Sequence, residues 1–151
     1  MKWHKGRGKL GLFDPLLGTW QAEAKSEMGP VRCTREFKKA LSGNYVQLTA
    51  TWAFADKAYV ELAMIGVDRE KEVCFWSFTS DGKQSNGKLT DVSDVHPEAV
   101  GFEAQMPAGT ARMAYWPDEE RGFYWIVESK TKKGWNRFVE HHYVPVQAVK
   151  D

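Results

Sequence analysis

Apolar and polar residues alternate along this chain with a period of two, which is the pattern of a β-strand with one buried face. The alternation is clearest over residues 20–28, 45–54 and 102–106. Because successive side chains of a strand point to opposite faces, each stretch has one apolar side and one polar side. A helical period fits these stretches poorly, so the sequence predicts an all-β protein.

Residues that favour turns interrupt the alternation at nine places, and nine interruptions imply ten strands. The pairs Gly29-Pro30 and Asp81-Gly82 are typical of these interruptions. Their spacing of roughly 8 to 14 residues suits antiparallel hairpins and leaves no room for the crossover helices of a parallel sheet.

An open sheet of ten strands would expose two long edges, whereas closure into a barrel removes them. We therefore predict a single up-and-down antiparallel β-barrel of about ten strands, wide enough for side chains and one small ligand. The whole chain, residues 1–151, is expected to form one domain. The barrel would cover about residues 17–145, behind a short capping segment at residues 1–16. A β-sandwich is the structural alternative.

Composition narrows the classes of function. With 151 residues, the chain is long enough to bury a core without disulfides or metals. Aromatic residues make up 13% of it and include seven tryptophans, more than such a core needs, which indicates a lined cavity. The formal charge of +1 argues against a nucleic-acid partner, because phosphate binding requires clustered positive charge.

The sequence predicts neither a targeting segment nor a membrane span. No apolar run reaches the length of either, so we expect no membrane partner and a cytoplasmic location. Cys33 and Cys74 lie on separate predicted strands without C-x-x-C spacing. We expect both to be reduced, buried and apolar in role.

Two segments carry a resemblance to a known superfamily. Asp14-Pro15-Leu16-Leu17-Gly18-Thr19-Trp20 resembles the G-x-W opening of calycin barrels, which include lipocalins, fatty-acid-binding proteins and nitrobindin-like domains. This opening and the aromatic segment over residues 74–82 are together similar to the corresponding segments of bacterial lipocalin-like domains. The resemblance covers about residues 14–145 and implies a barrel that binds a small hydrophobic ligand.

The resemblance also implies roles for single residues. In lipocalins the G-x-W tryptophan, here Trp20, lies at the closed end of the barrel under a basic side chain near the last strand. Arg137 is the candidate for that side chain. The haem-ligating histidine of nitrobindin-like domains follows the last strand, and no histidine follows His142 here, so no haem ligand is implied and no cofactor is expected.

Arg35 is the first candidate for ligand contact because it alternates with Cys33 and Phe37. If that face is inward, the guanidinium enters the barrel, where only pairing or an anionic ligand makes its burial tolerable. It would then hold a carboxylate. The alternative is an outward Arg35 paired with an exposed acid, although the greater polarity of the opposite face favours Arg35 inward.

Further candidates lie on the last strand, where Arg137, His141 and Tyr143 share one face of the alternation. If that face is inward, it supplies a cation, an imidazole and a phenol to one wall. Neither face is plainly apolar, so the register stays open. Stacking of Arg137 on Trp20 is the alternative to ligand contact.

Trp52, Trp76 and Trp125 complete the predicted ligand-binding set. They lie on different strands, so some of them must face the interior and can stack on a ligand. Their alternative role is simply to fill the core. A barrel filled entirely by its own side chains would bind nothing and would instead serve as an interaction module with its outer surface.

Catalytic and metal signatures are absent from the sequence, so no catalytic or metal-binding residue is predicted. His141 and His142 point to opposite faces of a strand and cannot chelate one ion. We expect binding of a small hydrophobic or amphipathic ligand, with a carboxylate as a candidate head group. A small barrel enzyme is the alternative, an isomerase using Glu61 with His141 or a haem-dependent nitrogen-oxide handler. The oligomeric state is left open.

Overall fold

The structure, a computed structural model, describes residues 2–146. Met1 and residues 147–151, which the predicted single domain includes, lie outside the described residues. A 3₁₀ helix at Lys9–Leu16 precedes the sheet. Ten strands follow: β1 (Gly18–Ser26), β2 (Gly29–Ala40), β3 (Tyr45–Ala53), β4 (Ala58–Val67), β5 (Val73–Thr79), β6 (Gln84–Thr90), β7 (Val100–Met106), β8 (Gly109–Pro117), β9 (Phe123–Thr131) and β10 (Gly134–Pro145).

The strands form one closed barrel in which each strand pairs antiparallel with the next. Closure occurs between β1 and β10, where Trp20 pairs with Pro145 and Gln21 with Val144. The described strands therefore leave no unpaired sheet edge. The predicted fold, an all-β up-and-down antiparallel barrel of ten strands, is confirmed.

Register places the apolar side of each alternating stretch inside the barrel. Ala22 lies opposite Cys33, and Ala50 lies opposite both Arg35 and Glu61. Ala22, Cys33 and Ala50 are all buried. Because a shift of one residue would turn every apolar side chain outward, this burial fixes the register of β1 to β4.

The 3₁₀ helix closes one end of the barrel. Its Phe13 and Leu16 are fully buried, and the ring of Phe13 stacks on that of Phe102 at 5.7 Å. The Trp20 Nε1 group donates a hydrogen bond of 2.7 Å to the Leu16 carbonyl oxygen, which fixes the helix on β1. Trp20 also packs edge-on against Phe123, so it lies at the closed end.

An irregularity in β10 changes the direction of its first residues. Val139, His141 and Tyr143 pair with inward residues of β9, but the register shifts between Arg137 and Val139. Such a bulge adds one residue to the strand and reverses the alternation beyond it. The prediction that Arg137 shares a face with His141 and Tyr143 is therefore wrong, since Arg137 pairs with outward-facing Glu128.

Both cysteines are free and buried, as predicted. Cys33 lies on the inner face of β2, where burial raises the pKa of its thiol to about 11 and the charge of Arg35 opposes the rise. Within residues 2–146, no helix has the length and apolar character needed to cross a lipid bilayer.

Candidate functional site

A cavity of about 300 Å³ lies inside the barrel, toward the end opposite the 3₁₀ helix. Inward residues of β5, β7, β8 and β9 make most of its wall, and their side chains are apolar: Phe75, Phe102, Ala104, Met113 and Val127. The small side chains of Ala104 and Ala111 leave this space open. The barrel is thus packed at its closed end and hollow beyond it.

A few polar side chains interrupt the apolar wall of the cavity. They are Glu61, Ser85, Thr110, Arg112, Ser129 and Lys130. Arg112 is ion-paired with Asp94 and Glu128. Glu61 is half-buried and accepts a hydrogen bond from the hydroxyl of Ser77, the inward residue next to it on β5. A mostly apolar pocket with few polar groups is the usual lining of a small-molecule site.

The side chain of Arg35 lies in the centre of the barrel with a relative exposure of 2%. Its Nη1 donates a hydrogen bond of 2.5 Å to the Tyr115 hydroxyl, and its Nε donates a longer one of 3.4 Å to the Tyr143 hydroxyl. The guanidinium carbon lies 3.9 Å from the centre of the Trp125 ring. Strands β8, β9 and β10 therefore hold a cation that comes from β2, across the interior.

No acidic side chain of the described residues forms an ion pair with Arg35. Burial disfavours its charged form, but Tyr115, Tyr143 and the more distant Glu61 outweigh this and keep the pKa of Arg35 above its ordinary value. The group is a permanent cation. A buried cation without a carboxylate partner is rare, because its desolvation costs several kcal/mol.

Trp125 carries an unsatisfied hydrogen-bond donor in the same cluster. Its Nε1 group is buried and has no hydrogen-bond partner among the described residues. The Trp125 ring lies 5.3 Å from that of His141 and 6.4 Å from that of Trp52. Buried indole N–H groups usually find an acceptor. Trp125 lacks one among the described residues, whereas Arg35 has two phenol acceptors and lacks a counter-charge.

His141 is a neutral imidazole in this cluster. Burial, with a smaller contribution from the charge of Arg35, lowers the pKa of His141 to about 4. Its Nδ1 lies 3.2 Å from the Tyr143 hydroxyl, and Arg35 donates to the same oxygen. The ring accepts the hydroxyl proton in the tautomer that carries its own proton on Nε2. Burial likewise raises the pKa of both Tyr115 and Tyr143, which keeps the phenols protonated.

The cluster adjoins the cavity along two strands. Met113 and Val127 line the cavity, and the next inward residues on those strands are Tyr115 and Trp125. The cavity therefore ends one inward position short of the buried cation. On the opposite wall, Ala50 separates Arg35 from Glu61, and its methyl group leaves space between the two charged side chains.

The structure brings together five of the eight residues predicted to contact a ligand: Arg35, Trp52, Trp125, His141 and Tyr143. Three others lie elsewhere. Trp20 is at the closed end, and Trp76 pairs with Met64 and Asn86 on the outer face.

Arg137 also lies outside the barrel, because of the bulge in β10. Its Nε and Nη1 bind Glu128 and Glu140, and its guanidinium lies over Trp116 at 5.7 Å. The tryptophan it covers is therefore Trp116, where the resemblance implied Trp20. Arg137 serves a surface ion network and contributes nothing to the interior cluster.

Tyr115 is the residue of the cluster that the sequence analysis missed. It is followed directly by Trp116, and neighbours on a strand point to opposite faces. The sequence shows two adjacent aromatic residues of which one must be inside, and only the pairing of Tyr115 with Trp125 decides which.

The acid–base pair considered for an isomerase does not form. Glu61 bonds to Ser77 and His141 to Tyr143, and the described residues show no hydrogen bond between Glu61 and His141. The Nδ1 atom of His141 contacts the Tyr143 hydroxyl, which also accepts a hydrogen bond from Arg35.

One group of carboxylates lies outside the barrel. Asp68, Glu70 and Glu72 place oxygen atoms within 4.8 Å of one another at the β4–β5 hairpin. Asp68 accepts hydrogen bonds from the backbone of Glu70 and Glu72, and Lys88 forms ion pairs with both glutamates. The group stabilises the turn and is already neutralised in part.

No protein-family model matches this chain, and no curated protein matches its sequence. The closed barrel of ten antiparallel strands is consistent with the calycin-like fold that the sequence resembles.

Proposed function

We propose that this protein binds one small amphipathic acid inside its barrel. The apolar part of the ligand occupies the cavity, and its carboxylate accepts hydrogen bonds from Arg35 and Trp125. The observation that carries the proposal is a fully buried guanidinium with no carboxylate partner among the described residues, next to a buried indole N–H with no acceptor.

A carboxylate satisfies both unmet requirements at once. It supplies the negative charge that the buried cation lacks, and its two oxygens accept several N–H groups in the geometry that a guanidinium presents. Neutral phenols satisfy two of the five guanidinium N–H groups without balancing the charge. Hydrogen bonds to charged groups contribute roughly 1.5–3 kcal/mol each.

The cavity limits the size of the ligand. At roughly 30 Å³ per non-hydrogen atom, the volume share of one water molecule, about 300 Å³ holds about ten such atoms. Octanoate has this size, and octanol and octylamine differ from it only in the head group. These three compounds therefore separate the contribution of charge from that of the apolar chain.

Glu61 makes the charge of the head group testable. Its carboxylate lines the cavity and acts on the charge of Arg35, so it repels a bound carboxylate and attracts a bound amine. Glu61→Gln is expected to tighten octanoate binding under the proposal. If the cavity instead selects a cation, the same variant weakens octylamine binding.

The first experiment is native mass spectrometry of freshly purified protein, with denaturation and identification of any released molecule. Titration with the three compounds follows, monitored by the fluorescence of Trp52 and Trp125 at the site. We expect octanoate to bind at least about tenfold tighter than octanol, which corresponds to one hydrogen bond to a charged group.

Arg35→Met is expected to remove this preference, and Arg137→Met, which changes an arginine on the outer face, is the matched control. Three results would contradict the proposal: equal binding of octanoate and octanol, tighter binding of octylamine than of octanoate, or co-purified haem.

A further inference from the structure

The outer surface of β3 to β6 contains an extended area without charged side chains. Its centre consists of five neighbouring apolar residues on β4 and β5: Val60, Leu62, Met64, Trp76 and Phe78. Threonine and amide side chains at positions 47, 49 and 51 of β3 and 84 and 86 of β6 surround this centre. We refer to these ten positions as the neutral face.

The neutral face differs from the rest of the barrel surface. Charged residues make up 27% of the chain, and the outer faces of other strands carry them in pairs, such as Glu23 with Arg32 across β1 and β2. Lys88 of β6 likewise forms ion pairs with Glu70 and Glu72. Depletion of charge with enrichment of aromatic and methionine side chains is the composition of an interface core.

Large apolar side chains on the neutral face are exposed. Leu62 and Phe78 are cross-strand neighbours with relative exposures of 44% and 51%. Single exposed apolar residues are normal on a protein surface, whereas the largest contiguous apolar area of a protein is often a functional surface. The inward residues of the same strands, such as Leu48, Ile65 and Phe75, already pack in the barrel core, so this outer group is not needed for that core.

We propose that the neutral face binds a second copy of this chain, face to face, in a symmetric dimer. Threonine, asparagine and glutamine each carry donors and acceptors, so the surround can hydrogen-bond to an identical surface. The formal charge of +1 gives two copies little reason to repel each other. A surface that selected a charged partner would carry complementary charge, and this one carries none.

The dimensions of the neutral face fit the centre of a dimer interface. Four strands about 4.8 Å apart and five residues about 3.3 Å apart cover roughly 300 Å² in projection. A standard interface buries about 800 Å² per partner, with an apolar core and a polar rim. The neighbouring Glu36 and Lys38 of β2 carry opposite charges and supply such a rim on one side.

The experiment is sedimentation velocity of the full chain between about 1 and 100 µM, which spans the weaker affinities of interfaces of this size. We expect the mass to approach twice the chain mass of 17.2 kDa as concentration rises. Leu62→Glu brings two like charges into the dimer and is expected to return the mass to that of one chain. Leu41→Glu alters an even more exposed leucine in the β2–β3 turn, outside the neutral face, and should leave the dimer intact.

Two results overturn the proposal. One is a single-chain mass for the unmodified protein over the whole range. The other is a Leu62→Glu variant that keeps its native circular dichroism and still forms a dimer. If Leu62→Glu does not fold, the melting temperature of the unmodified protein is measured over the same concentration range. The melting temperature of a dimer rises with protein concentration, and that of a monomer does not. The proposal is independent of the ligand inside the barrel.

Discussion

Replacing Arg35 with methionine separates the two roles that a buried arginine can have. Methionine is unbranched and apolar, so it retains most of the packing against Trp125 while removing the charge. A structural arginine with a carboxylate partner stabilises the fold, and breaking such a buried pair costs about 3–5 kcal/mol. Arg35 has no such partner among the described residues, so we expect its replacement to cost less free energy of unfolding than the loss of a buried ion pair.

The magnitude follows from the contacts. Arg35→Met loses two hydrogen bonds from a charged donor, about 1.5–3 kcal/mol each, and a cation–π contact of up to about 2 kcal/mol. It also removes the desolvation cost of a buried ion, which is several kcal/mol. These contributions nearly cancel, so we expect the free energy of unfolding without ligand to change by less than about 2 kcal/mol.

Ligand binding is expected to respond much more strongly. The loss of one or more charge-assisted hydrogen bonds weakens octanoate binding by roughly 10- to 150-fold, at about 1.4 kcal/mol per tenfold change. The assay is urea unfolding with and without octanoate. At a concentration 100 times its dissociation constant, octanoate should stabilise the unmodified protein by about 2.7 kcal/mol. The same concentration should stabilise Arg35→Met by less than about 0.5 kcal/mol if binding is 100-fold weaker.

Two outcomes would refute this reasoning. If Arg35→Met lowers the free energy of unfolding without ligand by more than about 4 kcal/mol, Arg35 is mainly structural, as in a buried ion pair. Equal stabilisation of both proteins by octanoate would mean that the ligand does not contact the guanidinium. Arg137→Met serves again as the control, since it removes an arginine of the outer ion network and should leave octanoate binding unchanged.

Three further predictions test the site and the fold. The pKa of His141 is about 4 in the fold and 6.5 in the unfolded chain, so the unfolded state binds the proton first as pH falls below 6.5. Between pH 7 and pH 5, the free energy of unfolding measured with urea should fall by about 2 kcal/mol more for the unmodified protein than for His141→Gln. An equal fall in both proteins would contradict the lowered pKa. Ala104→Phe should fill the cavity and abolish octanoate binding measured by fluorescence while circular dichroism is retained; undiminished affinity would place the ligand elsewhere. Gly122→Ala should lower the urea midpoint by the equivalent of at least about 1 kcal/mol, because φ is 88° and the new methyl group would meet the Tyr143 carbonyl oxygen; an unchanged midpoint would contradict that crowding.

Much of the candidate site was predictable where the strands are regular. Arg35 lies between Cys33 and Phe37 in an uninterrupted alternation, so its inward position follows from the period of two. The same period assigns Trp52 to the face of Leu48 and Ala50, which the structure shows to be inward. It failed at Arg137, because one extra residue in β10 reverses the alternation and the sequence contains no signal for that bulge.

Strand β5 shows a different limit of the sequence. Its residues are apolar on both faces, since Phe75 lies inside while Trp76 and Phe78 lie outside. Alternation carries no information when both faces are apolar, and Trp76 was therefore predicted as a ligand residue. The same outward apolar side chains give rise to the neutral face.

The sequence by itself determined the number of strands and their antiparallel order, because turn chemistry and the period of two are local properties of the chain. Closure was only preferred to a β-sandwich, because a closed barrel has no exposed strand edges. Tertiary structure alone decided that the closed end is packed while the other end is hollow, and that Arg35 meets Tyr115 and Trp125 instead of a carboxylate. These features depend on side chains that come from opposite walls of the barrel. Residues 80 to 90 positions apart in the sequence meet there only because the sheet closes.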